Sequence, residues 1–208
     1  MLVNFIRRAT LAAPLLLLLA APASAHHLMG GRTPSTFIEG LLSGLGHPVI
    51  GPDHLAFLVA VGVVTGLNRI NLALPALFVT AMALGVGLHV SSVGIPGAEL
   101  IVAFSVLLAG ILIAAGRMLS TMVWAILFAI AGLFHGYAFG ESIYGAETSP
   151  LGAYLAGLVI IQSVIAVGAA VLTRRMATLG FALTPRLTGA VILGIGFATL
   201  VGQLIPGA

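Results

Sequence analysis

His47-Pro48-Val49-Ile50-Gly51-Pro52-Asp53-His54 runs directly into Leu55-Ala56-Phe57-Leu58-Val59-Ala60-Val61-Gly62-Val63-Val64-Thr65-Gly66. The second half is an unbroken uncharged stretch of the kind that forms a membrane-spanning helix. The first half places two imidazoles and a carboxylate within eight residues of it. Ionisable groups at membrane depth are costly and mark substrate or ion pathways. The apolar segment Phe37–Gly66 is too long for one straight span and contains Pro48, Gly51 and Pro52. It is expected to fold as a short membrane-edge helix, a break, and a spanning helix from about Pro52. Proline suits the first helical turn, where its missing N–H costs nothing, and Asp53 would then sit near the positive end of the helix dipole.

Composition carries this reading to the whole chain. Of 208 residues 60% are hydrophobic and only 6% charged, with a mean hydropathy of +1.22. That is the profile of an all-α polytopic membrane bundle; the alternating polarity of a β-barrel is absent. The net charge of +3 comes from scattered arginines with no lysine, so no basic cluster points to nucleic acid. The absence of cysteine removes disulfides, thiolate metal sites and cysteine nucleophiles. A lipid bilayer is the implied surrounding, no prosthetic group is expected, and a homo-oligomer is compatible with such a bundle.

Residues 1–25 read as a cleavable signal peptide: Arg7 and Arg8, an apolar core from Leu11 to Ala21, and Ala23-Ser24-Ala25 as the cleavage site. Residues 26–208 then form a single transmembrane helical domain of about six spans. The apolar segments are Phe37–Gly66, Leu72–Val90, Leu100–Gly116, Met122–Gly140, Leu151–Thr173 and Leu187–Ile205. With the mature N-terminus outside, Arg69, Arg117, Arg174, Arg175 and Arg186 fall on the cytoplasmic side and Arg32 outside. This satisfies the positive-inside rule for an inner-membrane protein with both termini periplasmic. Every histidine and acidic residue of the mature chain then lies in or near the outer half. Glu39, Glu99 and Glu147 fit ordinary helix-end positions.

Imidazole nitrogen and carboxylate oxygen together suit nickel(II), cobalt(II) and zinc(II), so His47, Asp53 and His54 are the first candidate metal ligands. Irregular backbone at membrane depth is tolerated where it lines a cavity or site. His135-Gly136-Tyr137-Ala138-Phe139-Gly140-Glu141 supplies two more candidates, His135 and Glu141. On a regular helix these two are about 120° from facing together, so Glu141 joins only if the helix ends or bends near Gly140. His89, His26 and His27 are secondary candidates, the last two through a freed N-terminus. Gly62 and Gly66, with the ridge Gly132, Gly136 and Gly140, allow close helix packing. A Gly62–Gly136 contact between the first and fourth spans would bring His54 and His135 together.

These two segments resemble the HupE/UreJ family of hydrogenase and urease accessory membrane proteins. The resemblance rests on His47-Pro48, Gly51, Asp53-His54, Phe134-His135-Gly136, Ala138 and Gly140-Glu141, and covers the leader, spans and both motifs. It implies a permease for nickel, in some members cobalt, with His47, Asp53, His54, His135 and Glu141 lining the metal route. Relatives commonly carry a second histidine where this chain has Phe139. No Walker A sequence is present, so facilitated or secondary import is expected rather than direct ATP drive. The competing class is an intramembrane zinc hydrolase using Ser91, Ser92 or Ser142; the chain lacks an H-E-x-x-H motif. A metalloenzyme sensor or assembly partner is a third.

Overall fold

Thr36 fixes where the helical part begins. Its hydroxyl accepts from the Glu39 N–H at 3.2 Å while the Glu39 carboxylate accepts from the Thr36 N–H, a reciprocal cap that satisfies two otherwise orphaned donors. The computed structural model describes residues 32–69 and 71–205. The helices are α1 (Phe37–Ile50), α2 (Pro52–Leu67), α3 (Ala73–Val90), α4 (Ala98–Ala114), α5 (Thr121–Gly140), α6 (Thr148–Thr178) and α7 (Thr184–Leu204), with a 3-10 turn at Glu141–Ile143. No strand occurs among the described residues. The expected signal peptide, His26 and His27 lie outside them.

The break falls where Pro48, Gly51 and Pro52 put it. α1 and α2 meet at Gly51 with a bend of 80° and together qualify as one broken span. Gly51 closes α1 by donating its N–H to the His47 carbonyl at 3.2 Å, and Pro52 opens α2 at its first position. Helices α3, α5, α6 and α7 are each long and apolar enough to cross a membrane, and α4 is a shorter apolar helix of 17 residues. The expected segments recur with shifts of a few residues. The largest change is in α6, which covers 31 residues, or roughly 46 Å at 1.5 Å per residue.

α6 is long because it backs both halves of the broken span. Gly44 of α1 meets the backbone of Tyr154 and Leu158, while Gly62 and Gly66 of α2 meet Ala166 and Ala170. α3 packs along α5 through Gly132 and Gly136, which face Phe78 and Met82, and α4 packs along α7 through Gly110 and Gly189. Without a hydrophobic driving force between helices in lipid, such close backbone approach supplies dispersion contacts instead. α2 is buried on nearly all sides and forms the centre around which these pairs gather. Its inward aromatic Phe57 packs on Phe78 and Phe128 at 5.5 and 6.0 Å between ring centroids.

The Gly62–Gly136 contact expected from sequence is not formed. Gly62 faces α6 and Gly136 faces α3. Glycine spacing marks a helix that can be approached closely but carries no information about which neighbour approaches it.

Candidate functional site

Chain direction separates two ends of the bundle. Arg69, Arg117, Arg174, Arg175 and Arg186 lie at one end, in or beside the α2–α3, α4–α5 and α6–α7 connections. There Thr121 donates to Asn68 at 3.3 Å and Arg186 to the Ala114 carbonyl at 3.1 Å. At the opposite end Tyr137 donates to the Val93 carbonyl at 2.8 Å and accepts from the Ile95 N–H at 2.9 Å, pinning the α3–α4 loop. The break at Gly51 belongs to this second end.

His47, Asp53, His54 and His135 are all buried. The bend is what gathers them: it ends α1 one turn after His47 and starts α2 with Asp53 and His54 in the first turn. The Asp53 carboxylate accepts from the His54 N–H at 2.9 Å. His54 Nδ1 meets His135 Nδ1 at 2.8 Å, so the expected meeting of these histidines occurs, bridged by side chains rather than by glycine contact. His135 Nε2 lies 3.0 Å from Ser105 Oγ, whose proton goes to the Val102 carbonyl at 2.7 Å. His47 Nδ1 is 2.9 Å from Tyr154 Oη and 3.1 Å from Ser142 Oγ, and the Tyr154 proton goes to the Phe139 carbonyl at 2.8 Å. The His47 and His54 ring centroids are 6.3 Å apart.

Phe139 packs against both rings, at 5.0 Å from His47 and 4.2 Å from His54. Glu141 stands just past the end of α5, in the 3-10 turn, and is exposed. It belongs to the rim rather than the buried cluster. His89 stands apart, with Tyr137 at 4.6 Å and Tyr144 at 5.8 Å between ring centroids. Among the described residues no three His, Asp or Glu side chains are arranged as a ready-made metal site.

Three features escaped sequence reading. Glu99, in the first turn of α4, lies close enough to Asp53 and Glu141 to feel both charges; alone in the sequence it resembles a helix-end acid. Ser105 and Tyr154 are isolated hydroxyls in apolar helices, and nothing local marks them as histidine partners. Gln162 is fully buried, and neither amide atom has a hydrogen-bond partner among the described residues.

Trp124, at the arginine end of α5, is buried, and its indole N–H has no partner among the described residues. A cavity of about 30 Å³ lies between it and Ser105, walled by Phe57, Ala109 and Phe128. That volume is about one water molecule's share of liquid.

A family model described as HupE / UreJ protein matches residues 14–199. The chain is also 32% identical over 188 residues to "Protein HupE" of Rhizobium leguminosarum bv. viciae, covering 88% of this chain and 94% of that one. No solved structure matches it.

Proposed function

Since this chain belongs to the HupE / UreJ family, we propose that it imports a divalent transition-metal ion, nickel first and cobalt as the close alternative. The observation that carries this reading is the broken span, which buries His47, Asp53 and His54 beside His135 inside an otherwise apolar bundle. Keeping a carboxylate and three imidazoles there is expensive unless a cation uses them. Asp53 offsets part of a dication's charge, and imidazole nitrogens replace part of its water shell. Glu99 and Glu141, on the same side of the bundle, form an acidic approach that raises the local concentration of cations.

The positive-inside rule assigns the arginine end to the cytoplasm and the histidine end to the periplasm of a bacterial inner membrane. Both mature termini are then periplasmic, after removal of the leader at residues 1–25. The imported ion serves maturation of a hydrogenase or urease. Binding must select the ion yet release it.

The deciding experiment is uptake of radioactive nickel and cobalt into proteoliposomes. Wild-type protein is expected to accumulate nickel well above empty vesicles, and Asp53→Ala to abolish this while remaining folded. No accumulation by wild type, or equal accumulation by Asp53→Ala, would sink the reading.

A further inference from the structure

The face of α5 that carries His135 runs down to the chain's single tryptophan. Trp124, Phe128, Ala131 and His135 recur at helical spacing and are all buried, so they form one stripe along the helix. Ser105 and Ala109, one turn apart on α4, and Phe57 of α2 meet this stripe around the cavity of about 30 Å³. A buried indole N–H normally finds an acceptor. Trp124 is only 1% exposed, yet its Nε1 has none among the described residues. Ser105 Oγ gives its proton to the Val102 carbonyl at 2.7 Å and accepts from His135 Nε2 at 3.0 Å. A hydroxyl oxygen has two lone pairs, so one is left to accept again. A donor and an acceptor thus line one small space.

We propose that this cavity is a binding site for a single ordered water, which accepts from the Trp124 indole N–H and donates to Ser105 Oγ. The space exceeds the roughly 10–15 Å³ that one water needs. A cavity walled by Phe, Leu and Ala alone would stay dry; two polar partners are the fewest that a buried water takes. The water completes a line of hydrogen bonds from Trp124 through Ser105 to His135. It holds the serine from a third direction, besides Val102 and His135, and the serine in turn fixes the His135 ring. Trp124 is then a positioning residue that acts on the histidine cluster from about three helical turns away. The proposal goes beyond the transport reading and does not depend on it, because it concerns what holds His135 and not what the cluster binds.

The test uses the full chain in nanodiscs, labelled with 15N at the tryptophan indole and in histidine, with water itself as the probe. One tryptophan gives one indole signal. Wild type is expected to show a cross-relaxation peak between the indole N–H and a long-lived water, told from chemical exchange by its sign. Ser105→Ala removes the second partner and Ala109→Val fills the space; each should abolish that peak. Trp124→Phe keeps a ring and removes the donor, and it should move the His135 Nε2 signal in the same direction as Ala109→Val does. A wild-type indole with no water peak would overturn the proposal, whether its N–H is free or bonded to a protein group. So would a peak that survives in Ser105→Ala, or a His135 signal that Trp124→Phe leaves in place. Should Ala109→Val not fold, Ser105→Ala and Trp124→Phe decide the outcome between them.

Discussion

The Phe139 ring centroid lies 4.2 Å from that of His54, and the same ring touches His47 at 5.0 Å. Phe139 is thus the wall shared by the two buried imidazoles. A ring here excludes water and supplies no ligand. Phe139→His would add a further imidazole beside His47 and His54, one helical turn from His135, and so another nitrogen ligand for the ion. Nickel binding is expected to tighten by about tenfold or more, each tenfold being about 1.4 kcal/mol, while turnover falls because release slows. Equilibrium binding and uptake kinetics on the same preparation check this; unchanged affinity would mean the side chain at 139 does not reach the site.

Helix pairing makes a prediction that a cysteine-free chain tests cleanly. A Cβ built on Gly62 would come within 2.5 Å of the Ala169 Cβ, close to disulfide range after a small shift. Cysteines at Gly62 and Ala169 are expected to cross-link under mild oxidation, and cysteines at Gly62 and Gly136 are not. The reverse result would refute the α2–α6 pairing.

The cost of crowding should follow the same map. A methyl at Gly136 would overlap the Met82 carbonyl, whereas nothing among the described residues lies within 4 Å of one at Gly87. Gly136→Ala is expected to destabilise by about 1–3 kcal/mol, as overpacking does. Gly87→Ala should be neutral or slightly stabilising, because alanine restricts the unfolded chain more than glycine. Thermal unfolding in one detergent compares the two.

Local chemistry was readable in the sequence, and three-dimensional convergence was not. Pro48, Gly51 and Pro52 announce the break because proline and glycine act on their own backbone. Apolar length announces the spans for the same local reason. Which helix faces Gly62 depends on packing across the bundle, and many glycine-bearing helices compete for it. Glu99 reads as a helix-end acid until folding brings it near Asp53 and Glu141. Tyr154 is one aromatic among many until its hydroxyl meets His47.

Acid should close the route. A metal takes an imidazole only in its neutral form, and ordinary histidine titrates near pH 6.5. Protons therefore compete with nickel as pH falls, so affinity is expected to be highest at the alkaline end and to weaken towards acid. Equilibrium binding from pH 5 to 8, with no proton gradient, isolates this from any coupling. Affinity that fell nowhere in this range would count against histidine ligation.

Gln162 offers a separation of stability from function. Its amide is fully buried with no hydrogen-bond partner among the described residues, a state that costs about 1–3 kcal/mol by protein mutational data. Leucine has nearly the same size and no such cost, so Gln162→Leu is expected to raise thermal stability. An amide oxygen inside the bundle is a neutral ligand that can replace water around a crossing cation. Uptake by Gln162→Leu should accordingly fall several-fold while equilibrium binding at the His47 and His54 site is unchanged. Greater stability with undiminished uptake would show that the buried amide plays no part in transport.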